Sequence, residues 1–272
     1  MKNIVIPGGT AGLGKAVART YIERGDNVLA IGHDPANGER FVKDGGEFLL
    51  ADLSLIRENE RVIKEIATRF SSIDALVLCT RFFRSYRRET SDGVEHQFAL
   101  YYLSRYLLGH GLAGLLDKAP EPVIVNVAGP GVPVGRIHWD DLELKHGYDG
   151  FEALFQGGKL NDLLGVSYAD AHPGSRIRYA LAFPGNVAGN LAGEFDPQTA
   201  AQVERMKAGG LPVAVGIAPI IDIIDGPPDE PLSAFSEGRR LSLTGPSFDR
   251  ADAARLESIT KRLLGEGDQA SI

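Results

Sequence analysis

Residues Pro7-Gly8-Gly9-Thr10-Ala11-Gly12-Leu13-Gly14 lie between an apolar run, Asn3-Ile4-Val5-Ile6, and a helical pattern that begins at Lys15. From Gly8 the spacing is Gly-x-x-x-Gly-x-Gly. It supplies a tight turn, a close approach of backbone to a pyrophosphate, and close packing of helix on strand. The amides and dipole at the start of the following helix favour phosphate. Glycine is common here, 33 in 272 residues, so the placement of the cluster carries the inference rather than its composition. A strand-to-helix turn that binds nothing is the plain alternative.

The rest of the chain repeats that alternation. Ala16 to Ile22 has helical apolar spacing and closes at Gly25, and Asn27 to Ile31 is again a strand pattern. Phe48 to Ala51 leads into Asp52-Leu53-Ser54, an amphipathic helix follows over about 56–70, and Ala75 to Cys79 is a fourth strand. A helical run from Gly93 to Leu116 has an apolar surface wider than one sheet face needs, which predicts a subunit contact as well as core packing. Pro122 to Val127 is a fifth strand, Lys159 to Ala169 lies in a helix, and Ile177 to Phe183 is a sixth strand ending at Pro184-Gly185. An irregular insertion is expected over about 186–212, a last strand at Arg240 to Thr244, and a closing helix from Ala251 to Leu264. Near-continuous apolar strands separated by helices indicate an α/β fold with a parallel sheet covered on both faces. No repeat or linker divides residues 1–272, so a single domain is expected.

A formal charge of −7 argues against a nucleic-acid partner, since phosphate neutralisation needs a basic face. One cysteine, Cys79, excludes an intrachain disulfide framework and fits a reducing compartment. With no charged leader and no long apolar span, the expectation is a soluble, cytoplasmic protein without a membrane partner. His33 and Asp34 follow the second strand, where an acidic residue accepts from ribose hydroxyls and a basic one holds a 2′-phosphate. With help from Lys15 the balance leans toward NADP; capping of the loop by both residues is the alternative.

Together these features resemble the short-chain dehydrogenase/reductase family over nearly the whole chain. The shared features are the order of elements, the glycine loop, Asp52-Leu53-Ser54 at the place of the family's adenine-contacting aspartate, and Pro184-Gly185 after the sixth strand. Thr90-Ser91-Asp92-Gly93-Val94-Glu95, Trp139-Asp140-Asp141-Leu142 and Gly158-Lys159-Leu160-Asn161 are most similar to the branch holding retinol dehydrogenases and light-dependent protochlorophyllide reductases. The resemblance implies a Rossmann-type doubly wound sheet of about seven strands and hydride transfer between a small molecule and NADP(H) or NAD(H); through the long helical run after the fourth strand a homodimer or homotetramer is expected. Cofactor contacts are implied at Gly8, Thr10, Gly12, Leu13, Gly14, His33, Asp52, Leu53, Cys79, Lys159, Pro184, Gly185 and Val187.

The family's proton relay is another matter. Its tyrosine and lysine stand as Tyr-x-x-x-Lys, one turn apart on a helix, and aligning Lys159 with that lysine puts Phe155 at the tyrosine. No Tyr-x-x-x-Lys occurs anywhere in the chain. By the same alignment Gly129 takes the serine's place, Tyr101 the asparagine's, and Gly189 that of a cofactor-contacting threonine. Candidates to move a proton are then Tyr101, His138, Tyr148 and Lys159. For Tyr101 the alternative is volume filling, and for Lys159 ribose binding alone. His138 with His146 has no specific metal spacing, and no metal is expected. Cys79 is either a small buried hydrophobe or a thiolate activated by Arg81. The run Arg81 to Arg88 is a solvated rim or a contact for an anionic or aromatic substrate. Three functions stay open: an atypical oxidoreductase, a non-redox cyclase, isomerase or lyase, and a non-catalytic nucleotide or ligand sensor.

Overall fold

The computed structural model describes residues 1–188 and 191–265, so Gly189 lies outside the described residues. The first half runs β1 (Asn3–Pro7), α1 (Gly12–Glu23), β2 (Asn27–Gly32), α2 (Pro35–Lys43), β3 (Glu47–Leu50), α3 (Ile56–Arg69) and β4 (Ala75–Leu78). Then come β5 (Phe83–Arg84), α4 (His96–Phe98), a π-helical turn (Ala99–Leu103), α5 (Ser104–Gly111), α6 (Ala113–Leu116) and β6 (Val123–Val127). The second half holds α7 (Gly150–Ala171), β7 (Arg178–Phe183), β8 (Gly193–Glu194), α8 (Pro197–Ala208) and α9 (Val213–Asp225). It closes with β9 (Leu232–Ser236), β10 (Arg239–Arg240) and α10 (Arg250–Leu263).

Eight strands form one sheet in the order β10-β9-β7-β6-β4-β1-β2-β3, and every pairing in it is parallel except β9 with β10. Strand order reverses its progress between β1 and β4, and ligands of such sheets bind at the carboxyl edge there. One face is covered by α1 and α9, whose Val17, Tyr21, Ile220 and Ile224 pack on Ile4, Ile6, Val77 and Val125. The other is covered by α3, α5, α7 and α10 through Val62, Leu108, Leu163 and Leu256.

Several elements differ from the sequence expectation. The last parallel strand is β9, not Arg240–Thr244, because Leu232 to Ser236 pairs with β7 and the chain then doubles back through Glu237 and Gly238. Both turn residues have positive φ (50° and 76°), the geometry of a two-residue hairpin turn. Helix α7 contains the expected helical stretch Lys159 to Ala169 and extends it back to Gly150, capped by the Asp149 carboxylate, which accepts from the Glu152 amide at 2.9 Å. Its internal Gly157 is needed by packing, since a Cβ there would stand 2.5 Å from the Tyr101 ring. The 186–212 stretch holds β8, which pairs with β5, and helix α8. The wide apolar surface of the 93–116 run is consumed within the chain. Val94, Phe98, Tyr101, Leu103, Leu108 and Leu112 are all buried there, so this run provides no argument for a subunit contact. No helix of the described residues is long and apolar enough to cross a membrane.

Candidate functional site

A cavity of about 1000 Å³ opens at the carboxyl edge of the sheet, across the point where the strand order reverses. Six strand ends contribute to it: Gly8 and Thr10 after β1, His33 and Asp34 after β2, Asp52 and Leu53 after β3, Cys79 and Thr80 after β4, Gly129 after β6, and Pro184, Gly185 and Val187 after β7. Gly12, Leu13 and Gly14 of α1 and Lys159, Phe155 and Tyr101 complete the wall. Thus the thirteen residues implied as cofactor contacts, from Gly8 to Val187, all line one cavity.

The glycine loop has the shape a pyrophosphate requires. Gly8 has φ of 79°, and a Cβ on it would lie 2.9 Å from the Thr80 nitrogen. A Cβ on Gly14 would fall inside contact distance of the Gly8 carbonyl oxygen. No side chain caps α1 at Ala11, so its first amides face the loop without an intramolecular acceptor from a cap.

At the far end of the cavity the Asp52 carboxylate accepts from the Ser54 hydroxyl and amide through one oxygen, at 2.7 and 3.0 Å. Asp34 is the N-cap of α2, accepting from Ala36 N, Asn37 N and Asn37 Nδ2 at 2.9, 3.3 and 2.8 Å. Capping therefore holds for Asp34. Lys15 does not line the cavity, and its ammonium pairs with Asp44 at 3.0 Å. The NADP leaning loses that support.

The other end separates the proposed proton donors. His138 does not line the cavity: its Nε2 is 2.6 Å from Glu152 Oε1 and its amide donates to Gln156, fixing it against the first turns of α7. Tyr148 is likewise outside the lining, its hydroxyl held by the Gln97 side chain at 2.6 Å, and burial pushes that phenol up. Tyr101 and Lys159 remain in the wall, with Lys159 Nζ donating to the Val132 carbonyl at 3.1 Å. Burial pushes the Cys79 thiol up to about 12 with Arg105 opposing, which disfavours the thiolate reading. Among the described residues no group of three or more His, Cys, Asp or Glu converges as a metal set.

Between Arg81 and Arg88 the chain is not simply a solvated rim. Phe83 and Arg84 are buried, Arg84 pairs with Glu194, and its guanidinium lies 4.7 Å from the Phe82 ring centroid. His96 also lines this end, and burial, with Arg84 adding repulsion, pushes its imidazole down to about 4.

Below the Tyr101 end lies a polar network that sequence reasoning missed. The Arg105 side chain is buried; it donates to the Asn126 side-chain oxygen and to the carbonyls of Val127 and Thr80, the latter two at 3.0 and 2.9 Å. Asn126 Nδ2 donates to Asn161 Oδ1 at 2.9 Å and to the Tyr179 hydroxyl at 2.8 Å. Asn161 in turn donates to the Tyr101 carbonyl at 2.9 Å and to the Gly157 carbonyl at 2.7 Å. The Tyr101 carbonyl belongs to the π turn, where the regular helical ladder is interrupted. The one signal in sequence was an asparagine inside the apolar strand Val123-Ile124-Val125-Asn126-Val127.

Asp162, one turn beyond Lys159, was also missed. Its Oδ2 accepts from the Gly131 amide at 2.9 Å, while buried Oδ1 has no hydrogen-bond partner, and burial raises the carboxyl from 3.8 to about 7. A raised folded-state pKa makes the contribution of this group to stability complete below about pH 4 and lost as pH rises through 7. Urea unfolding of Asp162→Asn should therefore lack a fall of about 2–4 kcal/mol that the native protein shows between pH 4 and 8. An equal fall in the variant would refute the assignment.

Comparison with known proteins agrees with this architecture. The family described as short chain dehydrogenase matches residues 2–139. An uncharacterized oxidoreductase of Saccharomyces cerevisiae is 34% identical over 137 residues, 47% of this chain and 44% of that protein. Retinol dehydrogenase 14 of Homo sapiens is 26% identical over 211 residues, 70% of this chain and 63% of that protein. Dehydrogenase/reductase SDR family member 12 of Bos taurus is 26% identical over 190 residues, covering 66% and 59%. The chain thus spans about half to three fifths of the length of these relatives. Among solved structures, an uncharacterized protein from Mycobacterium paratuberculosis superposes with a TM-score of 0.70 at 23% identity, covering 97% of this chain and 94% of that one. The NADPH-bound carbonyl reductase from chicken fatty liver gives 0.67 at 12% identity, covering 89% and 99%. The sheet order and the match over half of the sequence lead to one conclusion: the chain belongs to the short-chain dehydrogenase family.

Proposed function

We propose that the chain is an oxidoreductase that binds NADP(H) or NAD(H) and acts on a small, partly apolar carbonyl or alcohol without a Tyr-x-x-x-Lys relay. The observation that carries this reading is a glycine cradle and uncapped helix facing the same cavity as Lys159, while the residue four before that lysine is Phe155. Gly8, Thr10, Gly12, Leu13 and Gly14 would hold the pyrophosphate, Asp52 and Leu53 the adenine, and His33 the adenosine ribose. Lys159 and the segment Pro184, Gly185 and Val187 would hold the nicotinamide half, with Cys79 in the wall between.

When bound, the nicotinamide supplies or accepts a hydride. The chain's own task is to hold the substrate oxygen and to pass its proton. Phe155 has no proton to give, and Gly129 no hydroxyl to orient the oxygen. Tyr101 is assigned that role among the hydroxyl-bearing side chains of the wall, with Lys159 as ribose ligand. Phe82, Leu100, Leu154 and Leu191 give the substrate end its apolar character.

Fluorescence titration of the purified protein with NADPH and NADH tests the reading. Binding of either at micromolar concentration is the expected result, and none up to about millimolar would overturn it. The double variant Phe155→Tyr with Gly129→Ser should gain carbonyl reductase activity, since it restores a donor one turn before Lys159. A folded double variant that binds the cofactor and gains nothing would refute the alignment of the site. Product formation without any change in nicotinamide absorbance would establish instead a non-redox enzyme.

A further inference from the structure

A guanidinium buried without a carboxylate is costly, because a charge removed from water is normally paired. Arg105 is 1% exposed, and among the described residues no carboxylate lies within ion-pair distance of it. Its acceptors are one amide oxygen and two backbone carbonyls, all neutral, and its Nε has no partner. The titratable groups that face it are the phenols of Tyr101 and Tyr179, the Cys79 thiol and a second cation, Arg81. Burial holds the thiol and the Tyr179 phenol in their neutral forms. Among the described residues, therefore, no carboxylate pairs with the Arg105 charge; what faces it are neutral acceptors and the Tyr101 ring.

The position of this charge matters as much as its isolation. Thr80 and Val127, whose carbonyls it binds, line the cavity at the ends of two central strands. Its guanidinium carbon also lies 4.6 Å from the centroid of the Tyr101 ring, another part of that wall. Arg105 is thus one residue behind the cavity surface at the end shared by Tyr101, Phe155 and Lys159.

We propose that Arg105 makes the site discriminate between the two redox forms of the nicotinamide, favouring the reduced, uncharged ring over the oxidised, cationic one. The inference rests on the cofactor reading above. Attraction of Arg105 for the phosphates is common to both forms and cancels in their ratio, so the ring charge alone remains. A site with this bias takes up the reduced dinucleotide and releases the oxidised one, the order that a carbonyl reductase uses. Arg105 acts here as a positioning charge and not as a catalytic residue.

The test is equilibrium binding of NADPH, NADP⁺, NADH and NAD⁺ to the full chain at pH 6, where Asp162 is mostly protonated, with ADP-ribose and its 2′-phosphate as references lacking the ring. The native protein should bind the reduced form about tenfold or more tightly than the oxidised form, a difference expected for two like charges across a cavity wall. The oxidised ring should add no affinity over the ringless reference, and the reduced ring should add it. Arg105→Gln should bring the reduced-to-oxidised preference below about threefold, and Arg105→Lys should keep it. Equal gains from both rings in the native protein would overturn the proposal, and so would an unchanged preference in folded Arg105→Gln. The native comparison with the ringless reference can overturn the proposal even if the glutamine variant does not fold, and Arg105→Lys then separates Arg105 from Lys159. Failure of every dinucleotide to bind would instead refute the cofactor reading itself, so the two failures are distinguishable.

Discussion

Gly14→Ala is expected to lose at least a hundredfold in affinity for NADPH or NADH, the largest binding effect of any single methyl in the chain. The added carbon would fall inside contact distance of the Gly8 carbonyl oxygen, a backbone atom that no rotamer change can move. Relief requires the loop to shift away from α1, and the shift would misplace the amides meant for the pyrophosphate. A crowded backbone contact of this kind also costs about 1–3 kcal/mol of stability. Gly25→Ala is the matched control. Gly25 has φ of 84°, but a Cβ on it meets nothing within 4 Å, so the substitution carries backbone strain of about 1–2 kcal/mol and no loop displacement. Isothermal titration of both variants, with thermal melts beside it, separates the effects. If Gly14→Ala bound dinucleotide as the native chain does, the loop would not be a phosphate cradle.

The glycine turn between β1 and α1 was legible because its signal is local: glycine spacing, a strand pattern before it and a helix pattern after it all fall within one stretch. Six of the parallel strands, β1, β2, β3, β4, β6 and β7, were legible as runs of apolar residues for the same reason. Elements whose signal is mixed were not legible. Helix α9 contains Pro219, which removes a helical hydrogen bond and interrupts the pattern around Ile217, Ile220 and Ile221. Helix α2 is announced by Asp34 and Pro35, an N-cap followed by proline in the first turn, but at the end of the second strand Asp34 reads equally as a ribose acceptor and as a loop cap. β9 lacks the apolar continuity of the central strands, and the exposed Arg239 and Arg240 beyond it drew the expected strand too far along.

For the site, sequence named the residues that would touch a dinucleotide but could not say which way long side chains turn. Lys15 turns to Asp44, and His138 turns to Glu152. Both choices depend on partners well separated from them in the chain rather than on their own neighbours. The network under Tyr101 was illegible for the opposite reason. Arg105, Asn126 and Asn161 lie on three elements, and each alone looks like an ordinary polar residue until the sheet brings them together.

That network sets the largest expected loss of stability, at Asn126. Its side chain is the hub: the oxygen accepts from Arg105, and the nitrogen donates both to Asn161 Oδ1 and to the Tyr179 hydroxyl. Asn126→Leu keeps the branched shape and leaves no cavity, so lost polar partners, together with some overpacking by the larger methyl groups at this buried position, account for the loss. Removing the hub strands an acceptor on Asn161 and deprives the buried guanidinium of its one side-chain acceptor. Each buried polar group left unmatched costs about 1–3 kcal/mol, more beside a charge, which gives an expected loss of about 3–5 kcal/mol. Against a total stability of about 5–15 kcal/mol for a typical domain, that is a large fraction. Urea unfolding should show the midpoint falling with little change in slope. Asn161→Ala breaks the next link and also frees the Tyr101 carbonyl at the π turn, so the double variant should lose less than the sum of the two single losses. Full additivity would mean that Asn126 and Asn161 act separately, and the network would then not be the device that holds Tyr101 and Arg105 against the cavity.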